Sequence, residues 1–215
     1  MYNCKRVITY LFKGYEMAAE RLDTETRQTQ IKKAVLEIIS SEGIGQLSTR
    51  NLAARIGVSE GALFRHFSSK KEIMLSILSD VKNELLTTQE EIVYSSKMNA
   101  EEKLFKFFCS HIQYLIENKG ITILLFSEAA HLNDSQLKKG LREILLTQKE
   151  YISRIVKQGM NEGIWDKSLN VENVAALYMG IPISLNIEMI LQPVEPQKEK
   201  FCERMICLIK RALEK

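Results

Sequence analysis

The sequence predicts an all-α protein: a small N-terminal three-helix unit followed by a larger helical bundle. Three observations predict this. Three helix starts and one tight turn are packed into Leu47 to Glu72, and beyond about Thr87 apolar residues recur at helical spacing with no strand-like alternation. The chain's three prolines, Pro182, Pro193 and Pro196, all fall late. At 215 residues the chain is long enough for two units with real cores. The expected division is an extension over 1–23, partly disordered, a three-helix unit over 24–70 and a helical unit over 71–215.

In the first unit, Ile31, Ala34, Val35, Ile38 and Ile39 form one apolar face of a helix that stops at Glu42-Gly43. Ser48 is the expected N-cap of the next helix, whose apolar face is Leu52, Ala53 and Ile56 and whose stop is Gly57. Ser59 caps a short helix expected to run through Gly61, Ala62, Leu63, Phe64, Arg65, His66 and Phe67, with Leu63 and Phe67 anchoring it to the core. Ser69 and Glu72 then have the spacing of a capping box ahead of Ile73, Met74, Ile77, Leu78 and Val81. This is helix-turn-helix geometry, in which the second helix enters the major groove of DNA. Gly-Val-Ser turns also join ordinary helices, but here the turn stands within a whole constellation of helix starts and stops.

At these residues the chain resembles the tetracycline-repressor (TetR) family of bacterial transcriptional regulators. The likeness runs from Ile31 through Ser48-Thr49-Arg50, Leu52-Ala53, Gly57-Val58-Ser59 and Gly61 to Phe67, and on to Lys70. The resemblance implies that Ser48, Thr49 and Arg50 lie near one DNA strand, that Ser59, Glu60, Gly61, Ala62 and Arg65 face the groove, and that His66 and Lys70 hold phosphates. It departs from the family at Phe64, where a tyrosine hydroxyl commonly contacts a phosphate; Phe64 has no hydroxyl to offer. Glu60 is read as serving the helix dipole, because a carboxylate close to DNA is otherwise repelled.

The net charge of +3 is mild, so a nucleic-acid surface has to be local. Cys4, Cys109, Cys202 and Cys207 show no Cys-x-x-Cys spacing and are read as isolated structural thiols in a reducing cytoplasm. The apolar run near the N-terminus is a poor signal peptide, and Val174 to Ile187 falls short of a membrane span, so no membrane is expected. Met17 is a second candidate for the natural start.

The larger unit reads as successive helices. Leu104, Phe105, Phe108, Ile112 and Leu115 form one stripe; Ile121 to Leu132 is a short apolar helix; Asn133-Asp134-Ser135 caps a long helix ending at Gly163. Asn170 caps Val171 to Leu191, which is apolar on several faces and contains Pro182, and the last helix runs from Pro196 to Leu213. In the resembled family the last two long helices build a four-helix dimer interface, and the apolar excess here suits a homodimer. A monomeric bundle interior is the bland alternative.

Gly43-Ile44-Gly45 has Ser48 where a dinucleotide fingerprint needs its last glycine, and no nucleophile elbow, phosphate loop or zinc-protease pattern is present. The expectation is no enzyme, no catalytic residues, no metal and no cofactor. Glu128 and His131 share one helix face and read first as a polar cluster within the bundle, and second as part of a pocket. Phe105, Phe108, Phe126, Tyr151, Met160 and Tyr178 are equally pocket or core. The reading is therefore a dimeric cytoplasmic regulator, a repressor, that binds a palindromic duplex operator and is released by a small apolar effector. The rival is a DNA-bound scaffold that recruits a protein partner and needs no small ligand.

Overall fold

The computed structural model describes residues 23–118, 120–131, 133–191 and 197–214, and in these every regular element is helical. The extension over 1–22, with Met17, lies outside the described residues. Helix α1 (Thr24–Glu42) starts where the Asp23 carboxylate accepts the Thr26 backbone N–H at 2.9 Å, and it buries Ile31, Ala34, Val35, Ile38 and Ile39. The Gly43 to Gln46 stretch forms a 3-10 turn (Ile44–Gln46). Helix α2 (Thr49–Arg55) is capped by Ser48 Oγ and buries Leu52 and Ala53; Ile56 is only partly buried. Gly57, at φ +70°, makes the reversal.

Helix α3 (Glu60–Leu63) is shorter than its pattern suggests. Ser59 Oγ accepts the Ala62 N–H at 3.1 Å, but after Leu63 the chain tightens: Arg65 N–H donates to Ala62 O and His66 N–H to Leu63 O. Arg65 and His66 thus lie in a turn following the helix, while Leu63 and Phe67 are buried as their spacing requires. Helix α4 (Lys70–Tyr94) opens with Ser69 Oγ accepting the Glu72 N–H. The return bond of this box goes one residue further back than expected: the Glu72 carboxylate accepts from the Ser68 N–H.

Helix α4 is the spine of the molecule. It packs on α5 (Ala100–Glu117) and α7 (Ser135–Asn161); α7 packs in turn on α6 (Ile121–His131) and α8 (Val171–Leu191), and α9 (Lys198–Leu213) covers α5. The caps explain the starts. Asn99 and Glu102 form a reciprocal box at α5, Asp134 accepts two backbone N–H groups at α7, and Asn170 Oδ1 accepts the Asn173 N–H at α8. The two units also touch away from α4. A Cβ on Gly120, at the turn between α5 and α6, would sit 2.8 Å from the Ile39 side chain of α1, so this close approach needs glycine.

Two sequence expectations are corrected here. Cys109 and Cys202 are free thiols but not isolated ones: they neighbour each other across the α5–α9 contact, and that proximity pushes the Cys109 thiol up and the Cys202 thiol down. Phe108 and Phe201, the preceding residues, stack at 6.3 Å beside them. Helix α8 is also long and apolar enough to span a membrane by length and composition, because it extends past the uncharged stretch at both ends. It is a bundle helix, packed on α7 and carrying Glu172 and Glu188.

Candidate nucleic-acid interface and effector cavity

The end of the small unit presents α2 and α3 side by side. Thr49 Oγ1 donates to Glu60 Oε2 at 2.7 Å, so the two helices are tied across the turn. Glu60 lies in the first turn of α3, where the dipole favours it, but the cap itself is Ser59 and the Glu60 carboxylate braces Thr49. Ser48, Arg50, Ser59, Glu60, Gly61, Phe64 and Arg65 are exposed, and Thr49, Ala62, His66 and Lys70 are half-buried. Arg50 and Arg65 enter no ion pair among the described residues. An extra Cβ on Gly61 would find nothing nearer than Ser59 Oγ at 4.0 Å, so no neighbour within the chain demands a glycine there.

Behind this face the chain is locked to α1. Asn51 Nδ2 donates to Glu42 Oε2 at 3.0 Å and to Gln46 O at 3.1 Å, Arg55 pairs with Glu42, and Gln28 Nε2 donates to His66 O at 2.9 Å. His66 Nδ1 is buried without a partner among the described residues. Lys70, expected at a phosphate, is half-exposed and ion-paired within the chain. Its Nζ lies 2.8 Å from Glu128 Oε1 on α6, and Lys71 Nζ lies 2.7 Å from Asp134 Oδ2, the cap of α7. Two adjacent cations at the start of α4 thus hold acids of the larger unit.

The larger unit contains a partly open cavity of about 70 Å³ lined by α4, α5, α6, α7 and α8. Val81 and Leu85 of α4 form one wall; Leu125 and Phe126 of α6, Leu141 and Ile144 of α7, and Met179 and Pro182 of α8 form others. Its wall is overwhelmingly apolar and carries no Asp, Glu, Lys or Arg. The polar exceptions include His111, Gln148 and Asn186, all buried. Burial pushes the His111 imidazole down to about 4, so the ring is neutral at neutral pH.

Of the seven pocket residues expected from sequence, only Phe126 lines this cavity. Phe105 is 41% exposed and faces a shallow cleft against α9; the phenylalanines of α5 that go inside are Phe107, outside the expected stripe, and Phe108. Phe108 packs between Tyr178 and Phe201, and Tyr151 packs edge-on against Phe107 and Tyr94. Tyr178 stands behind the wall, its hydroxyl 3.4 Å from His111 Nδ1. Glu128 is committed to Lys70, and His131 is exposed. Met160 is partly buried in the core, away from the cavity. Sequence reasoning passed over Gln148, Gln89 and Asn186, although each is a polar residue on an otherwise apolar helix face.

No group of three or more His, Cys, Asp or Glu side chains suited to a metal ion occurs among the described residues.

Two family models match the chain: "Bacterial regulatory proteins, tetR family" over residues 31–77, and "YsiA-like protein, C-terminal region" over residues 79–185. The chain is 24% identical over 151 residues to the fatty acid metabolism regulator protein of Bacillus subtilis (strain 168), covering 70% of this chain and 77% of that protein. It is 25% identical over 170 residues to the nucleoid occlusion factor SlmA of Serratia proteamaculans (strain 568), covering 77% and 85%. The fold matches the transcriptional regulator FadR from Bacillus subtilis, solved in complex with stearoyl-CoA, with a TM-score of 0.65 and 20% identity over 86% of this chain and 99% of that one. With both halves matched in chain order and a helix-turn-helix unit joined to a helical bundle, this chain belongs to the TetR family of bacterial transcriptional regulators.

Proposed function

We propose that this chain is a cytoplasmic repressor that binds a two-fold symmetric duplex operator as a homodimer and releases it when a small apolar molecule enters the cavity. The DNA-reading unit is 24–70, and 71–215 carries the effector cavity and the dimer face. Arg50 and Thr49 approach one strand, Gly61, Ala62 and Arg65 face the groove, and His66 and Lys70 reach phosphates. No catalytic step is involved.

One observation carries the switch: α4 begins at Lys70 and walls the cavity at Val81 and Leu85. At a rise of 1.5 Å per residue, Val81 is only about 16 Å along the helix from Lys70. The cavity is also small. A cavity of about 150 Å³ holds benzene, so an effector of that size or larger has to part the walls, moving α4 or α6. Such a ligand favours the expanded arrangement, as a release mechanism requires.

The same small volume favours a second reading, to which the SlmA likeness adds: a DNA-bound scaffold that recruits a protein through its bundle. Selecting duplexes from a random pool and measuring their affinity by fluorescence anisotropy tests the common part. Recovery of a two-fold symmetric site bound by two chains is expected, and equal, weak retention of all duplexes contradicts both readings.

A further inference from the structure

The cavity holds a polar cluster for which an apolar effector has no use. His111, Gln148 and Asn186 line it from three different helices at 5%, 3% and 3% exposure. Gln148 Nε2 donates to Gln89 Oε1 at 3.2 Å and lies 3.5 Å from both ring nitrogens of His111. Two atoms of this region are buried with no partner among the described residues: Gln89 Nε2 and Asn186 Oδ1. Of the two residues, Asn186 is on the cavity wall itself.

Unpaired amide atoms in an apolar interior cost stability, so their presence calls for a bonding partner. The wall also determines that partner's charge. With no Lys or Arg lining the cavity, a buried anion has no counter-ion, and with no Asp or Glu neither has a cation. His111 is neutral and cannot substitute unless it takes up a proton against its burial.

Building on the effector reading above, we propose that the ligand of this cavity is an uncharged amphiphile: a hydrocarbon body with a single hydroxyl or primary amide that hydrogen-bonds Asn186. A hydroxyl or amide both donates and accepts, and so satisfies the Asn186 side chain in either orientation of its amide. An ionised carboxylate only accepts. A CoA thioester offers Asn186 no donor at the acyl carbon, and its phosphates find no base on the wall.

The test uses the full chain at pH 7.5 and four probes with the same ten-carbon chain: decan-1-ol, decanamide, decanoate and decanoyl-CoA. Calorimetric titration is expected to rank the alcohol and the amide at least tenfold tighter than the carboxylate and the CoA thioester. Asn186→Leu is expected to erase that preference, and Gln148→Leu to narrow it. If either substitution unfolds the chain, the wild-type ranking still decides. Decanoate or decanoyl-CoA binding as tightly as the alcohol overturns the proposal and leaves the apolar-effector reading standing. Binding of none of the four removes the effector reading and this proposal with it.

Discussion

Lys70 Nζ lies 2.8 Å from Glu128 Oε1, joining the first turn of the spine helix to α6. Lys70 is also the residue proposed to hold a DNA phosphate; on that proposal its ammonium serves two anions, one on DNA and the Glu128 carboxylate of α6. The Glu128 side chain is only 8% exposed, whereas that of Lys70 is 35% exposed, and screening keeps the pair's worth near 1 kcal/mol.

Lys70→Ala is expected to weaken binding to every duplex and flatten the salt dependence by roughly one unit. Glu128→Gln frees the ammonium, and is expected to tighten operator binding by about fivefold, the equivalent of that 1 kcal/mol. Anisotropy titrations across a salt series check both, and Glu128→Gln binding more weakly than wild type rules out the sharing.

Gly61 is exposed, and nothing in the chain crowds a Cβ there. Gly61→Ala should therefore leave thermal stability unchanged or raise it by up to about 1 kcal/mol, the helix propensity difference. The same methyl group should reduce operator affinity about tenfold if α3 approaches the bases closely. Unchanged affinity, with melting intact, places the groove contact elsewhere.

Ile183, Ile187 and Ile190 follow each other at spacings of four and three on α8, are 44–47% exposed, and are followed by exposed Leu191. Contiguous exposed apolar side chains of this kind mark an interface. Ile187→Asp is expected to convert a dimer into monomers at micromolar concentration in sedimentation, because a charge buried there would be unpaired. A wild-type chain that sediments as a monomer with and without DNA contradicts the dimer.

The neutral His111 makes stability depend on pH. Its folded value of about 4 lies below the ordinary 6.5, so between these values the unfolded chain binds more protons. Its stabilising contribution is complete above pH 6.5 and is lost as pH falls toward 4; by pH 5 the loss is about 2 kcal/mol. Urea denaturation at pH 7 and pH 5 should show this difference in wild type and not in His111→Gln. Equal pH slopes in the two would mean that the ring is solvated.

The small unit was legible because each of its signals is local. Ser48, Ser59 and Ser69 each precede a helix they cap, and Gly57 sits at the reversal, so few distant contacts were needed to place them. The cavity was not legible because it depends on which side of each helix meets its neighbours. In α5, Phe105 and Phe107 are equally apolar, and only the packing of α9 and α7 decides that Phe107 goes inside. The useful signal lay in the exceptions: His111 sits between Phe107, Phe108 and Leu115, and Gln148 between Ile144 and Ile152, at core positions of their stripes. Both of these polar residues line the cavity, whereas of the aromatics expected there only Phe126 does. Glu128 reads first as a polar group bonded within the bundle, and it is one, but its partner Lys70 is 58 residues away in sequence and is found only in the fold.

The central claim is that occupying the cavity lowers affinity for DNA. The direct measurement is operator affinity by anisotropy at fixed salt, with decan-1-ol titrated to saturation of the cavity. The account predicts a 5- to 150-fold loss of affinity, the range that a coupling of about 1–3 kcal/mol produces, and an equal weakening of decan-1-ol binding when operator is present. Saturating the cavity with no change in operator affinity would contradict it.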